Sequence, residues 1–83
     1  MKCLAISRNT GDPTSHIPDE MRRITELQEA GVIEQVYLKA DRSGAVMMLE
    51  TESPTEAERQ LATLPLVERG VTRFEVTELA PVQ

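Results

Sequence analysis

The chain has one cysteine and one histidine in 83 residues, and this scarcity excludes two kinds of site at once. Cys3 has no partner for an internal disulfide. Together with His16 it falls short of the three or four ligands that a zinc site needs, so no metal is expected. Glycine is scarce too, at four residues, and none of them falls in a phosphate-cradling spacing. No cofactor is expected. Tryptophan is missing, and Tyr37 and Phe74 are the only aromatic side chains available to wall a substrate cleft.

Basic residues are outnumbered, 9 against 14 acidic, and the resulting net charge of −5 repels a phosphate backbone, which argues against a nucleic-acid partner. No apolar run reaches the roughly 18 residues that would suggest a membrane span. Met1-Lys2 leads straight into strand-like sequence with no signal-peptide pattern, and a lone thiol suits a reducing compartment, so a cytoplasmic location is expected. A chain of this length holds one domain, 1–83. So short a domain buries only about 60% of its unfolded surface, and self-association is the remedy open to it.

Six elements are legible. Lys2 to Arg8 reads as a strand, closed by the turn-rich Asn9-Thr10-Gly11-Asp12-Pro13. Ile17, Met21, Ile24 and Leu27 are spaced for one helical face. Pro18 suits the first turn, Asp19 and Glu20 favour its positive end, and Gly31 stands where a left-handed cap belongs. Val32–Ala40 and Ala45–Thr51 form a hairpin around Asp41-Arg42-Ser43-Gly44, with Gly44 expected at positive φ. Ser53-Pro54-Thr55-Glu56 is a capping box that opens a second helix, which should stop near Leu64 because the residue before Pro65 is driven out of helical space. Thr72–Leu79 is the last strand.

The order βαββαβ is that of an α+β ferredoxin-like sandwich with a four-stranded antiparallel sheet. Strands one and three should be central, and they are apolar on both faces, through Cys3-Leu4-Ala5-Ile6 and Ala45-Val46-Met47-Met48-Leu49. Two helices cover one face only. A second copy packed on the other would give a homodimeric α/β barrel, its cleft lined by edge residues such as Gln35, Tyr37, Lys39, Arg73 and Glu75. Met47→Asp is expected to weaken such a dimer.

Gly31-Val32-Ile33 after the first helix, Leu61-Ala62-Thr63-Leu64-Pro65-Leu66 closing the second, and Phe74-Glu75-Val76 in the last strand resemble the muconolactone isomerase family. The resemblance covers about the last two thirds of the chain, and Leu-Pro-Leu is its most specific piece. It implies the ferredoxin-like fold, assembly through the sheets into dimers or decamers, and a cofactor-free proton shift in an unsaturated lactone. Of that family's aromatic and basic stretch in strand two, Tyr37 and Lys39 keep the character. A looser resemblance to the YCII-like proteins, with their proposed His and Asp pair, rests on His16 and Gly31.

A proton shift beside a carbonyl needs a base that works near neutral pH and donors where enolate charge develops. Histidine suits the first task, so His16, in the loop after strand one, is the candidate catalytic base. Tyr37 and Lys39 share a face of strand two, where Tyr37 would donate to the developing oxyanion and Lys39, with Arg73, would hold a substrate carboxylate. The bland readings are a loop histidine, an interface tyrosine and an edge lysine that discourages aggregation. Cys3 reads as a small buried hydrophobe, and Met21, Met47 and Met48 as core. Three functions fit: a cofactor-free isomerase on a small oxygenated metabolite, a non-catalytic ligand-binding or regulatory barrel, and a cofactor-free monooxygenase.

Overall fold

Side chains alternate between the two faces of a strand, and along Lys2–Asn9 the buried positions are Cys3, Ala5 and Ser7. That alternation orients the whole sheet. In the computed structural model, which describes residues 1–82, the chain runs β1 (Lys2–Asn9), α1 (Ile17–Glu29), β2 (Ile33–Leu38), β3 (Ala45–Glu50), α2 (Pro54–Leu61), α3 (Pro65–Glu68) and β4 (Thr72–Leu79). The strands lie in the order β2-β3-β1-β4 with every neighbouring pair antiparallel, so β1 and β3 are central and the ferredoxin-like sandwich is observed as expected.

Cys3 pairs with Leu49 and Ala5 with Met47, and all four are buried beneath the helices with Ile24, Leu27, Leu61 and Leu64. The other parity points away from them. Leu4 and Ile6 on β1 sit opposite Met48 and Val46 on β3, and Tyr37 on β2 faces Val46. Here the expectation for Met47 is corrected: it is 1% exposed and belongs to the helix-side core, because its partner is Ala5. Met48, one residue along, is the methionine on the open face. Gln35, Tyr37, Arg73 and Glu75 fall on that face by register, and Lys39, just past Leu38, follows the same alternation. β2 is shorter than the expected Val32–Ala40, and a bulge between Ile33 and Gln35 shifts its register.

A 3₁₀ turn at Thr14–His16 leads into α1, held by Asp12, whose carboxylate accepts from the amide and hydroxyl of Thr14. The inward row of α1 is Glu20, Ile24 and Leu27. This differs from the predicted stripe. Met21 is 54% exposed and Glu20 is 5% exposed, so the helix is turned by one position from its most apolar orientation. At the far end Gly31 takes φ 79°, as a left-handed cap requires, and the Val32 amide returns to the Leu27 carbonyl at 2.9 Å.

Ser53 caps α2 from an extended backbone, its hydroxyl accepting from the Glu56 amide at 3.1 Å. The second half of the capping box does not form. The Glu56 carboxylate turns forward to Arg59 and Gln60 instead, pairs that lie one helical turn away. α2 ends at Leu61, slightly earlier than expected, and Leu64 is extended at φ −72°, ψ 132° before Pro65. The Pro65–Glu68 segment that follows is itself the short helix α3. Loss of the cap should be measurable: Ser53→Ala is expected to cost about 1 kcal/mol, and an unchanged urea midpoint would contradict the capping role.

Candidate active site

Pro65 breaks one helix and starts another, and the first turn of a helix leaves its amides without intrahelical partners. One of these amides, at Leu66, is buried. Glu20 reaches it from α1, Oε1 accepting from the Leu66 nitrogen at 2.9 Å. The carboxyl group is thus held across 46 residues of sequence by the turn that proline creates.

Glu20 lines a cavity of about 480 Å³ between α1 and the sheet, walled mainly by apolar side chains, among them Ile17, Ile24, Met47, Leu66 and Phe74. Burial raises the Glu20 carboxyl above the usual glutamate range, because the charged form loses water; the Leu66 bond acts in the opposite direction but is the smaller influence. The cavity also meets polar groups at Ser7, Gln28, Arg42 and Thr72. Ser7 and Thr72 already have partners: the Ser7 hydroxyl accepts from the Ala45 amide at 2.8 Å, and the Thr72 hydroxyl donates to the Arg8 carbonyl at 3.1 Å.

The β2–β3 turn closes this end of the cavity. Asp41 accepts from the amide and hydroxyl of Ser43, at 2.9 and 2.6 Å, and these bonds hold its carboxyl below the usual range. Arg42, not Gly44, takes the positive φ of 66°. Gly44 is needed for a different reason, since a Cβ there would stand 2.0 Å from the Ser7 carbonyl oxygen. β1 passes too close for any side chain.

The residues expected to form a site are divided between two recesses and the open face. His16 borders a polar surface recess between α1 and α3, with Asp19, Arg23, Glu26, Glu68 and Arg69 among its neighbours. Lys39 and Arg73 line one recess on the open face, together with Ile6, Arg8 and Glu75. Tyr37 lies on that same face at 60% exposure, outside the recess lining. Within one protomer, His16 therefore lies on the helix side and the other three on the open side. Glu20 was visible in sequence only as a residue suited to a helix start. The signal for its burial was its spacing of four and seven from Ile24 and Leu27, which places it on their face.

Among the described residues no group of three or more histidine, cysteine or acidic side chains could hold a metal, and no helix is long and apolar enough to cross a membrane. The architecture is that of a ferredoxin-like α+β protein. It is similar over 96% of its length to 94% of the chain of a 5-chloro-2-hydroxyhydroquinone dehydrochlorinase from Burkholderia phenoliruptrix, solved in complex with 2,5-dihydroxybenzoquinone, with a TM-score of 0.72 and 18% identity. At that identity the likeness is one of fold. No protein-family model and no curated sequence matches the chain, so the resemblance to muconolactone isomerases has no support at the level of a sequence family.

A raised carboxyl makes stability fall with pH, because the unfolded chain, whose glutamate ionises first, releases its proton earlier than the folded one. The penalty is absent below the ordinary glutamate range, develops as pH rises through the interval up to the raised value, and is complete above it. Glu20→Gln keeps an acceptor for Leu66 and removes the charge. It should raise the denaturation midpoint near neutral pH, with the gain vanishing in acid; no gain at neutral pH would show that the carboxyl is not penalised by burial.

Proposed function

We propose that this protein is a cofactor-free enzyme that shifts a proton on a small, unsaturated, oxygenated ring metabolite, as an isomerase of the muconolactone type does. The single observation that supports this is Glu20, a carboxyl group buried in a largely apolar cavity, where the loss of water raises it above the usual glutamate range. A general base works best with its pKa near the working pH, and burial is one way to bring a carboxyl there. The volume, about 480 Å³, lies within the range of small-ligand pockets.

In this reading Glu20 takes the role expected of His16. Its carboxylate removes a proton from the carbon beside a ring carbonyl, the C–H electron pair moves into the enolate, and the same carboxyl returns the proton further along the conjugated system. Bond and charge balance without an external oxidant or metal. Gln28 and Arg42, which line the same cavity, supply donors where negative charge develops on oxygen. The oxygenated ring named in the structurally similar dehydrochlorinase complex agrees in size and polarity with this substrate class.

We further propose that two copies pair through the open face, where Leu4, Val46 and Met48 form an apolar centre that no helix covers. Tyr37 then becomes an interface residue. Met48→Asp should convert the dimer to monomer in sedimentation equilibrium at micromolar concentration, because the charge would be buried without a partner. Wild-type protein that sediments as a folded monomer would contradict the pairing.

Turnover is tested with unsaturated lactones and cyclic enones in deuterated water, following exchange of the proton beside the carbonyl. Wild type should catalyse exchange, and Glu20→Gln should lower the rate by about 10²- to 10⁴-fold while remaining folded. Equal rates in the two proteins would remove Glu20 from the chemistry. Ligand binding without exchange in the wild type would favour a binding or regulatory role.

A further inference from the structure

Arg8 and Arg73 stand directly opposite each other across the β1–β4 pair. Like charges at such a position repel and weaken strand pairing. Lys39 joins them in lining a recess of about 430 Å³ on the face of the sheet away from the helices, with Ile6 41% exposed beside them. Three cations thus line one recess in a chain whose net charge is −5. The general acidity makes the local excess more specific.

The acidic residues do not neutralise it directly. Among the described residues the ion pairs are Met1–Glu50, Lys2–Glu34, Arg22–Asp19, Arg23–Glu26 and Arg59–Glu56, and none includes Arg8, Lys39 or Arg73. Glu75 is the one carboxylate in the recess lining, placed opposite Ile6 and not opposite either arginine. Lys39 also feels Asp41, whose carboxylate is occupied by Ser43. The positive charge is left without a salt-bridge partner among the described residues, near the Asn9 end of β1 and to one side of the Leu4–Met48 centre through which two copies would pair.

We infer that this recess is a binding site for a small organic carboxylate with an apolar body. A planar guanidinium matches the two oxygens of a carboxylate, and an anion lying between Arg8 and Arg73 would turn their mutual repulsion into two attractions. Lys39 adds a third charge from the β2 side, and Ile6 offers apolar surface to the remainder of the ligand. Glu75, in the same lining, keeps the site selective for modest negative charge, since it would repel a multiply charged anion more than a single carboxylate. The site lies on the opposite face of the sheet from Glu20 and stands independently of the proton-shift reading.

The test is a titration of ¹⁵N-labelled protein at constant ionic strength with benzoate, with benzyl alcohol as the uncharged counterpart and inorganic phosphate as the compact anion. Benzoate should give saturable shifts centred on the Arg8, Lys39 and Arg73 amides, and benzyl alcohol should bind there at least about tenfold more weakly, the loss expected for a charge-assisted hydrogen bond. Arg8→Gln and Arg73→Gln should each weaken benzoate by about tenfold or more. Both substitutions relieve the cross-strand repulsion, so the fold should survive, as the remaining resonances would verify. Glu20→Gln should leave benzoate affinity unchanged, which separates this site from the cavity under α1. Shifts confined to that cavity, shifts that persist in the Arg8→Gln/Arg73→Gln double variant, equal binding of phosphate, or no saturable shift at all would overturn the inference.

Discussion

The hydrogen bond from the Leu66 amide to Glu20 ties together features that look unrelated along the chain. Pro65 interrupts the helical stretch and exposes an amide in the first turn of α3. That amide needs an acceptor, since buried backbone donors without partners are costly, and the acceptor comes from α1. The bond goes with the row of α1 that faces the sheet, in which Glu20 is buried beside Ile24 and Leu27 while Met21 is exposed. A carboxyl is thereby fixed in an apolar space, where losing water changes its acidity. Burial of the ionised form costs stability, and a carboxyl so placed is the feature on which the proposed chemistry rests.

The second constraint is the sheet itself. Its central strands are apolar on both faces, and the three helices all lie on one of them, over Ala5, Met47 and Leu49. The open face carries an apolar centre and, toward the Asn9 end of β1, the Arg8–Arg73 apposition. Each face therefore offers its own kind of contact: an enclosed acid on the helix side, and a basic, partly apolar surface on the other.

The fold was legible because its signals are local and repeated. Proline at the first helical position marks α2, glycine at a left-handed cap ends α1, and β4 was bounded residue for residue. Alternation assigned Tyr37, Lys39, Arg73 and Glu75 to one face, and the register of β2 and β4 agrees. Single-residue parity was harder. Met47 and Met48 are chemically identical neighbours, and only their partners Ala5 and Leu4 decide which one is core. Gly44 was likewise recognised as a special position for the wrong reason, because the close passage of β1 is a contact between distant segments. The candidate site was least legible. Hydrophobic periodicity ranks a helix face by its apolar residues, and it favours Met21 over Glu20 whenever the acid's partner lies far away in sequence.

The protonation state of Glu20 is the quantity on which the account depends most directly. Carbon-detected NMR of the glutamate side-chain carboxyls as a function of pH would resolve it from the exposed glutamates of the same chain. The account predicts that the Glu20 resonance titrates above the others, and that it moves again when a small cyclic enone occupies the cavity. A Glu20 midpoint in the ordinary glutamate range, unaffected by ligand, would contradict it.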